Sequence, residues 1–256
     1  MDKEIEKALD TIDSVNPFAT YLSDSTLSRV GGWVDTGSYV LNAIVSGSLH
    51  GGIPKGRVTM LAGESMTGKS LFVMKILAAA QKSGLIPVIF DTENAIDPEG
   101  AERLGLDVSK VKYVPCISIE QTRNALYKFL TSIKDKGLEG KFIIAIDSLG
   151  NLQSELSLAR MGKDNTSSDM GTNARAMKSL MQTCTNLGAV TQTTIICTNH
   201  VYDNPAALFP SIEKNMPGGK SCVYLPSVTV QLARKPMKSD GGKTMDGETA
   251  VGQKSY

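Results

Sequence analysis

No apolar run in this chain approaches the roughly 18 residues that a membrane span requires. The first residues, Asp2-Lys3-Glu4-Ile5-Glu6-Lys7, are charged and lack the apolar core of a signal peptide. Cysteine is scarce, and the four thiols, Cys116, Cys184, Cys197 and Cys222, have no paired short spacing. That scatter argues against a structural zinc site. Cys116 and Cys197 fall at or within apolar strand-like runs, where reduced core residues belong. Charge of one sign is missing too: 27 Lys and Arg face 26 Asp and Glu, a formal net charge of +1. The balance rules nothing in, because a nucleic-acid binder can still gather its cations on one face. No internal repeat is visible. The expected compartment is the cytoplasm, or a host's cytoplasm if the source is a virus, with no membrane partner. What remains is 256 residues, 41% hydrophobic and 21% charged, enough for one large α/β domain with a substantial core.

Residues 2–15 read as a short amphipathic helix with Ile5, Ala8, Leu9 and Ile12 on one face, stopped by Asn16-Pro17. Residues 18–35 read as a mixed connector containing the only tryptophan, Trp33. From Gly37 apolar runs rich in β-formers alternate with helical patterns. The runs are Val58–Ala62, Ile86–Asp91, Val111–Val114, Phe142–Asp147, Thr194–Thr198 and Val228–Ala233. One helical pattern, Ile119 to Lys136, opens with a capping box made by Ser118 and Gln121. Alternation of this kind predicts an α/β fold, a mostly parallel central sheet flanked by helices. Ligands in such folds bind at the carboxyl ends of the strands. Two segments resist the pattern and read as long loops: 153–172, rich in Ser, Asp and Asn, and 202–219, with Pro and Gly218-Gly219. The predicted division is 1–35 for the N-terminal helix and connector, 36–235 for the core, and 236–256 for a polar tail.

Gly63-Glu64-Ser65-Met66-Thr67-Gly68-Lys69-Ser70 carries the clearest chemistry. Two glycines, then Lys and Ser, stand between an apolar run and a helical pattern that opens at Leu71. Strand, glycine-rich loop and helix make this a nucleoside-triphosphate site. Glycine lets the backbone turn so that successive amides point at a phosphate, and the helix start adds its positive dipole end. Lys69 would reach the β- and γ-phosphates, and Ser70 would ligate Mg²⁺. The run Phe142–Asp147 ends in a second carboxylate, so Asp147 is expected to support the metal. Ile86–Asp91 continues into Thr92-Glu93-Asn94. Glu93 is the better candidate to polarise an attacking water, with Asp91 as the alternative. Thr194–Thr198 runs into Asn199-His200, which could sense the γ-phosphate and pass the signal into the following loop.

Together these residues resemble RecA-type recombinases, most closely the phage UvsX-like branch. Asp91-Thr92-Glu93-Asn94-Ala95-Ile96-Asp97-Pro98 is similar to the family's segment carrying the catalytic Glu. Ile146-Asp147-Ser148-Leu149-Gly150-Asn151-Leu152 is similar to the second nucleotide motif. Asp169-Met170 and Met177-Lys178-Ser179-Leu180 resemble the end of the first DNA-binding loop and the helix after it. Asn199-His200 is similar to the γ-phosphate switch, and Gly218-Gly219 falls where the second DNA loop closes. The resemblance covers roughly residues 37–235 and implies a RecA-like P-loop ATPase core. It also implies filament formation on single-stranded DNA, homologous pairing and strand exchange, with ATP and Mg²⁺ as cofactors. Mediators and single-strand binding proteins are the implied partners. In the carry-over Lys69, Glu93 and His200 are catalytic. Gly63, Glu64, Ser65, Met66, Thr67, Gly68, Ser70, Leu71 and Asp97 join Lys69 in binding nucleotide. Arg160, Lys163, Met170, Arg175, Lys178, Lys214, Gly218 and Gly219 are the candidates for DNA. Three departures stand out. Glu99-Gly100 replaces the aromatic ring that the family often stacks on adenine. The second loop holds only Lys214 before Gly218. The chain stops at Tyr256, before the family's last core strands, so a truncated core with slow ATP turnover is expected. The alternatives are a ring-forming helicase and a non-catalytic ATP-binding paralogue.

Overall fold

The structure is a computed structural model and describes residues 3–16, 18–25, 27–161, 170–204 and 214–234. The expectations placed on Asp2, Pro17, Lys163, Asp169, residues 205–213 and the tail 236–256 lie outside the described residues.

Helix α1 (Lys3–Val15) comes first, then β1 (Trp33–Val34), α2 (Tyr39–Ser46) and β2 (Ile53–Pro54). There follow β3 (Val58–Gly63), α3 (Lys69–Lys82), β4 (Ile86–Asp91), α4 (Pro98–Arg103), β5 (Lys112–Pro115), α5 (Ile119–Asp135) and β6 (Phe142–Asp147). The last group is α6 (Glu155–Met161), α7 (Met170–Val190), β7 (Thr194–His200), β8 (Tyr202–Asp203), β9 (Lys214–Asn215), α8 (Ser221–Tyr224) and β10 (Val228–Leu232). Six strands form a parallel sheet in the order β10-β3-β7-β6-β4-β5. The predicted α/β class with a parallel sheet is the observed one.

Alternation along each strand divides the core in two, because successive side chains point to opposite faces. Met60, Ala62, Ile144, Ile146, Ile195 and Cys197 meet the apolar sides of α5 and α7 on one face. Leu61, Ile89, Ile143, Ala145 and Ile196 meet α3 on the other. A sheet covered on both faces needs continuous apolar runs, and these runs made the central strands visible in the sequence. The caps also follow the residue types. Ser118 accepts from the Gln121 amide at 3.0 Å, and the Ile117 amide donates to Gln121 Oε1 at 3.1 Å. Asp97 caps α4 with Pro98 in its first turn.

The structure corrects the two long loops. Residues 153–172 hold α6 and the start of α7. Ser154 Oγ accepts from the Ser157 amide at 3.2 Å, and the Leu158 amide donates to the Ser154 carbonyl at 3.0 Å, so Ser154 starts a helix. The polar composition hid that cap. In 202–219, β8 and β9 pair antiparallel, Tyr202 with Asn215 and Asp203 with Lys214. The connector is not featureless either, since Trp33 and Val34 pair with Pro54 and Ile53.

Register then aligns the strand ends. Asp91 lies opposite Asp147, and Gly63 lies opposite both His200 and Leu232. Gly63, Asp91, Asp147 and His200 are thereby gathered along the carboxyl rim of one sheet, while Asp97 is not.

Candidate active site

The phosphate loop leaves β3 at Gly63. A Cβ there would sit 2.5 Å from Thr67 Oγ1 and 2.8 Å from the Leu232 carbonyl, so the position has room only for glycine. Gly68, with φ +90°, turns the chain into α3 in a conformation open to glycine. Thr67 Oγ1 donates to the Glu64 carbonyl at 2.8 Å and braces the curl. Lys69 is buried, and its Nζ donates to the Gly63 and Glu64 carbonyls at 2.9 and 2.8 Å. Burial lowers its pKa, against the opposing pull of Asp147 and Glu93. Met66 is exposed on the loop's outer turn, and Arg234 Nη2 donates to the Ser65 carbonyl at 2.9 Å.

Opposite the loop stand the tips of β4, β6 and β7. Asp147 is buried and accepts a hydrogen bond from Thr198, with the Ser70 hydroxyl close enough to favour its ionised form. Desolvation raises its pKa, the Thr198 and Ser70 hydroxyls lower it, and Glu93 and Asp91 raise it further. Ser70 and Asp147 thus fit a Mg²⁺ ion that takes its other ligands from phosphate and water. A hard, octahedral cation accepts such an arrangement. Among the described residues there is no group of three or more His, Cys, Asp or Glu that could hold a metal by itself. Glu93 Oε1 accepts from Ser148 Oγ at 2.8 Å and lies 3.5 Å from His200 Nε2. Asp91 is occupied differently. Its Oδ1 accepts from the Glu93 and Asn94 amides, both at 2.9 Å, and its Oδ2 from the Tyr113 hydroxyl at 3.1 Å. The Asp147–Ser148 peptide bond is cis. A cavity of about 260 Å³ opens between loop and tips, lined by Lys69, Ser70, Glu93, Asp147 and His200 among others.

A family profile of the RecA N-terminal domain matches residues 3–254. This chain belongs to the RecA family of recombinases. Protein RecA of Chlorobium chlorochromatii is 28% identical over 260 residues, 97% of this chain and 67% of that protein. Protein RecA of Rubrobacter xylanophilus is 28% identical over 252 residues, 96% of this chain and 69% of that protein. Protein RecA of Chlorobaculum tepidum is 31% identical over 222 residues, 85% of this chain and 59% of that protein. The parallel sheet with helices on both faces is in keeping with a RecA-like core.

In this RecA-family chain the other expected residues fall in different places. Asn199 is fully buried: its Nδ2 donates to the Pro217 carbonyl at 3.0 Å and its Oδ1 accepts from the His200 amide at 2.9 Å. The end of β7 is thereby tied to the turn before Gly218-Gly219. Both of those glycines have positive φ and lie against α7, where a Cβ on Gly218 would come within 2.9 Å of Met177 and Cys222. Arg175 and Lys178 lie exposed on α7, and Arg160 is half-buried on α6. Met170 begins α7. Lys214 is not an unengaged cation. Its Nζ meets Glu64 Oε1 at 3.2 Å and Asp203 Oδ1, and its side chain is only 12% exposed. Asp97 lies apart from the loop, capping α4 and pairing with Arg103 at 3.3 Å. Sequence reasoning missed Thr92, Ser148, Thr198 and Arg234. Thr92 Oγ1 donates to the Ser148 carbonyl at 2.8 Å and accepts from the Ser148 amide at 2.9 Å, joining the tips of β4 and β6. The signal for Thr92, Ser148 and Thr198 was a hydroxyl at or just past the end of an apolar strand; Arg234, two residues past β10, offered none.

Proposed function

We propose that this chain is the ATP-dependent core of a DNA recombinase, which assembles on single-stranded DNA and promotes homologous pairing and strand exchange. The observation that carries the reading is the cavity of about 260 Å³ ringed by Lys69, Ser70, Glu93, Asp147 and His200. The phosphate loop amides and Lys69 bind the β- and γ-phosphates, with Leu71 in the first turn of α3. Ser70 and Asp147 hold Mg²⁺, which neutralises phosphate charge when bound. Glu93, with one oxygen fixed by Ser148, accepts a proton from the attacking water. His200 stands beside Glu93 and next to Asn199, so it is placed to report the γ-phosphate to the segment that ends at Gly218-Gly219. Arg160, Arg175 and Lys178 are the described cations offered to DNA phosphates.

Residues 1–35 are read as an assembly element, and mediators and single-strand binding proteins as partners. The working place is the cytoplasm, or the host's if a phage carries the gene. Membership of the UvsX-like branch rests on the Asp147-Ser148-Leu149-Gly150 and Asn199-His200 motifs, and the three relatives above lend it no support. Among the described residues no helix is long and apolar enough to cross a membrane.

Electron microscopy with single-stranded DNA and a non-hydrolysable ATP analogue tests the reading, with Lys69→Ala as the control. Helical filaments that vanish in Lys69→Ala are expected. Closed rings, or ATP binding undisturbed in Lys69→Ala, would count against it.

A further inference from the structure

Tyr113 stands on β5, the edge strand of the sheet, yet its hydroxyl reaches the turn that carries Glu93. Register explains the reach. β5 pairs parallel with β4 so that Tyr113 lies opposite Ile89. Residues two apart on a strand share a face, so Tyr113, Ile89 and Asp91 point the same way. Tyr113 and Asp91 are diagonal neighbours across the pair, and the length of a tyrosine carries its hydroxyl to the carboxylate. The ring itself lines an apolar cavity of about 310 Å³ with Ile89, Ile96, Leu106 and Val111. Those neighbours hold the ring whether or not it bears an oxygen.

The hydroxyl has one hydrogen and two acceptors in range, Asp91 Oδ2 at 3.1 Å and Asn94 Oδ1 at 3.3 Å. The carboxylate is the nearer and the stronger acceptor. Desolvation, then the bond to Asp91 and its charge, raise the pKa of the phenol, so it donates at neutral pH. Asp91 spends its other oxygen on the Glu93 and Asn94 amides, both at 2.9 Å. With both oxygens engaged, the carboxylate is held against rotation, and the two amides fix the backbone on either side of the Glu93 side chain. The turn needs that support, because Asn94 sits in the left-handed region with φ 52°. Glu93 leaves this turn towards Ser148 and His200. A small misplacement of a reacting group, caused far from the chemistry, costs rate rather than binding.

We propose that Tyr113 is a positioning residue for ATP hydrolysis: through Asp91 it sets the turn that aims Glu93 at the attacking water. The inference rests on the reading of Glu93 as the base, and adds to it a residue outside the cavity of the phosphate loop. Phosphate release by the full chain and calorimetric titration with ATP test it in Tyr113→Phe, Glu93→Gln and the double variant. Tyr113→Phe deletes one oxygen and keeps the ring. Its kcat should fall about fivefold, the effect of about one hydrogen bond, with ATP affinity unchanged. In the Glu93→Gln background the same change should leave the residual turnover where it was, because its effect passes through the base.

Unchanged kcat in Tyr113→Phe would overturn the inference. So would a further loss of the same size in the double variant, which is what a general loosening of the fold gives. A loss of ATP affinity matching that of kcat would overturn it too, by placing Tyr113 in nucleotide binding. Glu93→Gln alone keeps the two readings apart: parental turnover in that variant shows that the base is misassigned, and the inference falls with it.

Discussion

Asp91 and Glu93 stand two residues apart at one strand tip, and their surroundings give them different work. Asp91 receives two backbone amides and the Tyr113 hydroxyl, so it holds the turn after β4. Glu93 points into the cavity beside His200. Glu93→Gln keeps size and hydrogen bonding while removing the base. ATP should bind with near-parental affinity while turnover falls by about 10²- to 10⁴-fold. Asp91→Asn weakens the turn's acceptor and should instead cost about 1–3 kcal/mol of stability, read as a lower Tm. A variant Asp91→Asn with unchanged Tm and no turnover would exchange the roles. The sequence offered both carboxylates, and only the amide directions told them apart. Lys69 adds a pH dependence. Its charged form binds phosphate, and burial has lowered its pKa more than Asp147 and Glu93 restore it. Nucleotide affinity should therefore be full at neutral pH and fall as pH rises, with its midpoint in the free protein below that of an ordinary lysine. Titrations across the alkaline range check this, and an affinity flat up to the ordinary lysine range would contradict the burial argument.

Elements were legible where burial imposes a period and illegible where a tertiary partner decides. Strands β4 and β6 were read to the residue because both faces of the sheet are covered and the runs are uninterrupted. Helix α6 was missed because its cap, Ser154, draws support from Asn173 on α7, whose Oδ1 accepts from the Ser154 amide at 2.9 Å. No local window contains that pair. Hairpin β8–β9 was missed for the same reason, with two residues in each strand. Lys214 shows the functional cost of such blindness. Read alone, it is the one cation of a DNA loop, but its partners are Asp203 across the hairpin and Glu64 in the phosphate loop. If the pairing persists on DNA, Lys214→Met leaves the salt dependence of DNA binding unchanged. If Lys214 turned to a phosphate, the log–log slope would fall by about one. The double variant with Glu64→Gln should be non-additive in stability, because the two side chains pair with each other. Fully additive losses would remove the link between phosphate loop and hairpin.

At the scale of the whole molecule, the register that gathers the rim also leaves one element without a place in the core. Residues 4–16 are exposed throughout. Ile5, Leu9 and Ile12 form a stripe along α1 and are 52%, 37% and 52% exposed. The helical period was plain in the sequence, but the surface that covers its apolar side was not, because a single chain carries no record of its neighbours. The contact recorded nearby is modest: Lys134 Nζ lies 4.5 Å from the Phe18 ring centroid on the protein's own α5. An exposed cation–π contact of this kind contributes about 0.5–1 kcal/mol. Deleting residues 1–20 should therefore cost the domain little, with an unchanged far-UV spectrum and a Tm lowered by a few degrees at most. ATP binding should survive, since every residue of the cavity lies beyond the cut. Assembly on single-stranded DNA should fail, because an apolar stripe this exposed among the described residues is the surface expected to meet another protomer. Sedimentation with and without DNA separates the cases. A deleted chain that unfolds would show that the stripe packs at home, and one that still forms filaments would move the protomer contact elsewhere.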